Sequence, residues 1–129
     1  MNEIQLIDLL KVKSEKERIE FKEAKSQFSV LGNNERNRNS ILGLAVAMGN
    51  EGGGKLLLGV KNAINPKTGY RDIVGTSALE NIEQVKSQIF THLKIRIGID
   101  EIKTNKGRVV VVTFPSRPVG GYFDFYGIP

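Results

Sequence analysis

Residue types and spacings suited to phosphate chemistry occur at separate points along this chain. The first is Glu15-x-x-x-x-Glu20-Phe21-Lys22. Paired carboxylates at and just before a strand can hold Mg²⁺ or Mn²⁺ beside a phosphodiester, where the metal polarises the phosphoryl oxygen and activates water. Lys22 lies two residues beyond Glu20, hence on the same face of an extended chain. Acids in a Lys/Glu-rich segment are also what a solvated surface requires, so a third ligand is needed to define a metal centre. The next is Glu35-Arg36-Asn37-Arg38-Asn39, read as the start of a helix, where backbone N–H groups and the helix dipole favour an anion. Then comes Gly49-x-x-x-x-Gly54-Lys55, which matches the opening of a P-loop but carries Leu56 where Ser or Thr should hold magnesium. Topology argues against that reading: a P-loop runs from strand into helix, whereas here a helix precedes the glycines and a strand follows. The glycines read instead as a tight helix-to-strand turn. Lys55, Lys61, Lys67 and Arg71 extend a basic patch if folding gathers their loops. His92, on the polar side of a helix, and Asp100-Glu101, near a strand end, read as plain surface.

The elements that must position these groups follow from periodicity. Ile4, Ile7, Leu9 and Leu10 mark a short lead-in helix within residues 1–13. Ile19 and Phe21 alternate with Arg18, Glu20 and Lys22 in a first strand. A loop over 26–34 leads to a helix expected from near Glu35, with Ile41, Leu42, Ala45 and Val46 on its apolar face. The run Lys55–Val60 reads as one central strand, and Asn65–Gly69 as a turn. Ser77-Ala78-Leu79-Glu80 fits a capping box ahead of Leu79, Ile82, Val85, Ile89 and Leu93 at helical spacing. Ile95, Ile97 and Ile99 alternate in a strand that a turn near Asn105-Lys106-Gly107 joins to the valine-rich Arg108–Phe114. The order strand, helix, strand, helix, strand, strand predicts a two-layer α/β domain with both core helices on one face of a mixed sheet. Tyr122, Phe123, Phe125 and Tyr126 crowd the segment 115–129, where they cover a sheet edge, meet a partner or belong with further chain.

The 129 residues and 14.3 kDa fit one domain, spanning 1–129. A net charge of +5, spread over both halves, is compatible with a polyanionic partner without demonstrating one. The absence of cysteine excludes disulfides, thiol catalysis and Cys-ligated zinc, and one histidine cannot make a multi-histidine metal site. No apolar run approaches the roughly 20 residues of a membrane span, and no secretory signal is visible, so a cytoplasmic location is expected.

Taken together, the Glu15-to-Lys22 motif, Ala45-Val46-Ala47-Met48-Gly49-Asn50, Gly53-Gly54-x-Leu56-Leu57-Leu58-Gly59-Val60, Ile73-Val74-Gly75 and Arg117-Pro118-Val119-Gly120 resemble the Schlafen/AlbA_2 family of DNA-binding domains. The resemblance implies an Alba-like fold, nucleic-acid binding, a module at the N-terminus of a longer transcriptional regulator or ATP-binding protein, and a tendency to pair as homodimers. In some animal Schlafen relatives, two acids of the Glu-x-x-x-x-Glu-Phe-Lys motif act in an endoribonuclease with a third acid shortly after the Gly-Val pair. Glu15 and Glu20 match, but Lys61-Asn62 follows Gly59-Val60 here, and losing an anionic ligand weakens a hard-cation site.

The expectation is therefore a cofactor-free module that contacts phosphates of DNA or RNA through Lys22, Arg36, Arg38, Lys55 and Lys61, without strong base readout. One alternative is a Mg²⁺- or Mn²⁺-dependent endoribonuclease using Glu15 and Glu20 with Asn62 as a weak third ligand. The other is a regulatory domain that docks onto the C-terminal remainder of a parent protein.

Overall fold

The computed structural model of the protein describes residues 1–12, 18–32 and 39–116. Its centre is a four-stranded mixed sheet of β1 (Ile19–Lys22), β2 (Gly54–Leu58), β5 (Gly98–Thr104) and β6 (Gly107–Phe114), in the order β1-β2-β6-β5. β1 runs parallel to β2, and the other pairs are antiparallel. Parallel neighbours demand a crossover, which α2 (Ile41–Asn50) provides. Leu56, Leu58, Val110, Val112 and Phe114 point to one face and pack with Ile41, Leu42, Leu44 and Met48 of α2 and with Val85, Ile89 and Leu93 of α3 (Ile82–Leu93). Each fully buried Leu or Val contributes on the order of 1.5–3 kcal/mol. This is the two-layer α/β arrangement that the strand and helix order requires, with both core helices on the same face.

The opposite face is covered too. Phe21, Leu57, Val109 and Val111 form a second cluster with Leu6 and Leu10 of α1 (Glu3–Leu10), while Tyr70 and Ile73 pack against its margin. Asn2 and Gln5 cap α1 reciprocally: Asn2 Oδ1 accepts from Gln5 N and Gln5 Oε1 accepts from Asn2 N, each at 2.9 Å. A small hairpin of β3 (Val60–Ile64) and β4 (Arg71–Ile73) completes this side. No helix among the described residues is long and apolar enough to cross a membrane.

Several boundaries differ from the sequence reading, each for a local reason. The apolar run Lys55–Val60 is not one strand: Gly59, at φ +92°, turns the chain out of the sheet after Leu58, and Val60 opens β3. The helix expected from Glu35 begins at Ile41, with Ser40 Oγ accepting from Gly43 N at 3.0 Å. α3 begins at Ile82 rather than within Ser77–Glu80, because Asn81 supplies the cap while Leu79 sits at φ +55°. The segment before α3 has other bonds to make. Ser77 N donates to Lys25 O at 2.9 Å, and Arg108 donates to the carbonyls of Thr76, Ala78 and Leu79. β5 starts at Gly98, so Ile95 and Ile97 reach the core from an irregular segment. The β5–β6 hairpin turns at 105–106, as its sequence predicts. The aromatic segment after Ser116 lies outside the described residues.

Candidate functional site

The sheet has a row of in-register residues at one end: Ile19 pairs with Lys55, Lys55 with Thr113, and Thr113 with Gly98. On the α1 side of that end a cleft of about 530 Å³ opens between α1, the glycine turn and the end of β6. Its polar walls are Arg18, Lys55, Thr113, Ser116 and the backbone of Gly52–Gly54. The described lining residues thus bring two cations and no carboxylate. Lys55 Nζ donates to Thr113 Oγ1 at 2.9 Å, which spends one of its three ammonium protons. Lys55 N donates to Arg18 O at 3.0 Å, tying the entry of β1 to β2.

Two glycines make this packing possible. Gly52 has φ +98°, and a Cβ there would collide with Arg18 Nη1. A Cβ on Gly53, at φ +96°, would sit 2.9 Å from Phe114 O. The turn follows the C-terminus of α2, whose partial charge is negative, so a guanidinium lying on Gly52 is electrostatically suited to its place. The strand-after-helix order seen here is the reverse of a P-loop, in agreement with the topological objection to nucleotide binding at this turn.

Glu20 and Lys22 project to the other face of the sheet, since their register partners are Leu56 and Leu58, whereas Lys55 alternates with them. Lys22 and Lys55 therefore do not share a face. Lys22 ends the edge strand β1 and Lys55 opens its inner neighbour β2, so the two lie at opposite ends of the β1–β2 pair. Lys22 O accepts from Gly59 N at 2.8 Å, and Lys61 and Asn62 follow on β3, both exposed. Four strand steps from Arg18 to Lys22 cover about 13 Å. Glu15, Arg36 and Arg38 lie outside the described residues.

Other groups singled out by sequence are committed elsewhere. The start of α2 is not an anion site: Ile41 N donates to Ser29 O, Leu42 N to Val30 O and Gly43 N to Ser40 Oγ, at 2.8–3.0 Å. Arg71 does not extend the basic patch. Its Nε donates to Asn62 O at 2.8 Å and its Nη1 to Leu10 O and Val12 O at the end of α1, while its guanidinium lies 3.9 Å from the centre of the Phe21 ring. Burial lowers its pKa from the ordinary guanidinium value. His92 Nδ1 lies 2.9 Å from Gln88 O in its own helix, and Asp100 faces the N-terminal ammonium at 3.4 Å. The Glu101 carboxylate accepts from Arg108 Nε at 2.6 Å, and that bond holds its pKa below the ordinary glutamate value. Arg18, which sequence treats only as the outer face of a strand, proves to be a wall of the cleft; no local pattern reveals this, because its neighbours come from Gly52 and Lys55.

A hard cation needs several oxygen ligands, carboxylates above all. Among the described residues no three His, Asp, Glu or Cys side chains come together. Of the candidate ligands Glu15, Glu20 and Asn62, the described residues supply one carboxylate and one amide, with the Lys61 ammonium next to Asn62 in sequence, and Glu15 lies outside them.

Fold and site together define a two-layer α/β domain that carries a cationic cleft at one end of its sheet. The chain belongs to the Schlafen AlbA_2 family, whose model matches residues 15–124. Among solved structures it is similar to the N-terminal domain of a protein related to the ATP-dependent DNA helicase RecG from Nitrosomonas europaea. The two are 25% identical with a TM-score of 0.61, over 96% of this chain and 80% of that one. It also shares its fold with the DIP2311 protein of Corynebacterium diphtheriae, at 21% identity and a TM-score of 0.53, over 88% of this chain and 20% of the other. Among curated proteins, no sequence matches this chain.

Proposed function

We propose that the domain binds nucleic acid through its phosphates and does not cut it. The observation that carries this reading is the cleft at one end of the sheet, where Arg18 and Lys55 stand without a carboxylate among the described lining residues. About 13 Å further along the β1–β2 pair come Lys22 and Lys61. One strand of a duplex presents a charge every ~3.4 Å of helix axis, so this length matches the span of about four phosphates. Because Lys22 and Lys55 project from opposite faces, a strand that meets both passes around the β1 side of the sheet. The similarity to the N-terminal domain of a RecG-related protein supports an association with nucleic-acid metabolism. Arg36 and Arg38, read from the sequence, are part of the same proposal as phosphate contacts. Contacts of this kind set position and register and leave sequence unread.

The test is a titration of labelled duplex DNA and duplex RNA followed by fluorescence anisotropy at several salt concentrations. Three to five phosphate contacts give a slope of log affinity on log salt of about −3 to −5. Lys55→Met should weaken binding evenly across sequences and flatten that slope by about one. Binding that ignores salt, or a slope that Lys55→Met and Lys22→Met both leave unchanged, would refute the reading. RNA incubated with the chain and Mn²⁺ should stay intact. Cleavage that disappears in Glu20→Ala would replace this proposal with a metal-dependent endoribonuclease.

A further inference from the structure

The row Ile19–Lys55–Thr113–Gly98 crosses the sheet from β1 to β5, three strand spacings or about 14 Å. Just before Gly98, at the far end of that row from Arg18, lies a second group of cations. Arg96 holds its guanidinium carbon 4.8 Å from the centre of the Phe90 ring, and Lys94 Nζ lies 5.7 Å from the same ring. Phe90 is 38% exposed, on the flank of α3 next to the buried Ile89. Together with Lys86, Ser87, Glu83 and Ile97, Phe90 and Arg96 line a hollow of about 350 Å³. Lys86 stands one helical turn before Phe90, and Glu83 partners it at 3.8 Å. Lys94 is the C-cap of α3 at φ +58°, a left-handed conformation that a lysine adopts only at a cost.

A large ring more than a third exposed and faced only by cations calls for a partner, and its surroundings specify the charge of that partner. Three cations against one acid exclude a basic ligand. An aromatic ring overlaid by an Arg guanidinium and a Lys ammonium is a combination that holds unpaired bases, which stack on the ring or on the guanidinium plane while the cations pair the adjoining phosphates. Duplex bases are already stacked and do not offer a free face. We infer that Phe90, with Arg96 and Lys94, is a stacking platform for an unpaired base of a single strand whose backbone rounds the sheet end from the α3 side toward Arg18 and Lys55 on the α1 side. This rests on the nucleic-acid reading proposed above and adds to it a substrate class: single strands, or duplexes with a frayed or looped-out end.

The probe is a fluorescein-labelled run of ten deoxythymidines, titrated beside a ten-base-pair duplex. Phe90→Ala should lower affinity for the single strand roughly five- to 150-fold, the worth of one stacked base, with its salt slope unchanged and duplex binding intact. Phe90→Trp should restore the loss. Arg96→Ala should weaken single-strand binding and flatten its slope by about 0.7, the value of one contact on a single strand. Phe90 is partly exposed and outside the core clusters, and a thermal melt of Phe90→Trp and Phe90→Ala checks that both stay folded. Unchanged single-strand affinity in a folded Phe90→Ala overturns the platform while leaving the phosphate reading in place. Equal losses on duplex and single strand also overturn it, since stacking on an unpaired base would not discriminate that way. Failure of the unmodified protein to bind either probe overturns both proposals.

Discussion

Replacing Arg71 by alanine separates a structural arginine from a nucleic-acid-binding one. The guanidinium serves the carbonyls of Asn62, Leu10 and Val12 and covers the Phe21 ring, so it joins α1, β3 and β1 around one planar group. A hydrogen bond from a charged donor is worth about 1.5–3 kcal/mol when well sheltered. Here the bond to Leu10 O is long, at 3.4 Å, and the side chain is only partly buried, so about 1 kcal/mol for each of the two better bonds is the appropriate scale. The ring contact adds about 1 kcal/mol. The expected loss is thus about 3 kcal/mol, a large share of the 5–15 kcal/mol typical of a folded domain, and a fall in Tm of roughly 10 °C. Urea denaturation followed by circular dichroism should show a lower midpoint with an unchanged m value. Arg71→Lys keeps the charge over Phe21 but cannot fork to three carbonyls, so it should recover only about a third of the loss. Either variant behaving like the unmodified protein in urea would refute this account of the α1 end. The same substitution should leave the salt slope of DNA binding unchanged in the folded protein, because three of the five Arg71 donors and the face of its guanidinium are turned to α1, β3 and Phe21.

Two further outcomes follow from the backbone and from charge. Gly59→Ala should cost more than 2 kcal/mol, since the new Cβ meets Arg108 O at 2.8 Å and Thr76 N at 3.1 Å on top of a φ of +92°. Gly69→Ala, at φ +79° with nothing within 4 Å, should cost only about 1 kcal/mol, and thermal melts of the pair isolate the clash from the φ penalty. Glu101 has its pKa depressed by the bond from Arg108, so its contribution is fully present above the ordinary glutamate range and is lost as pH falls through and below it. Chemical denaturation between about pH 5 and 3 should therefore show a shallower decline for Glu101→Gln than for the unmodified chain, and identical slopes would refute the coupling.

The parts of the fold that sequence discloses are those set by contacts between near neighbours. Ile19 and Phe21 alternate because one face of β1 is buried; Leu56–Leu58 is unbroken because both faces of β2 are. The hairpin at Thr104–Gly107 announces itself through its turn residues. Ser77–Glu80 misleads because its pattern is that of a helix start, while its carbonyls are claimed by Arg108 from β6. Gly59 cannot be told from any other glycine until its four hydrogen-bonded neighbours, Lys22, Glu23, Val74 and Gly75, are brought together. The candidate site was visible only in part. Lys55 stands out beside a glycine run, but its pairing with Arg18 and Thr113 depends on strand register. Phe90 falls outside the apolar stripe Val85–Ile89–Leu93, and its cations arrive from beyond the end of the helix.

The plugged start of α2 has one more implication. Ser29 and Ser40 form a bridge, and the carbonyls of Ser29 and Val30 take up the first amides of the helix, while Val30 packs against the core beside them. A polyanion that nears this end of α2 meets backbone donors already spent on the protein's own chain, so any grip on it there has to come from side chains alone.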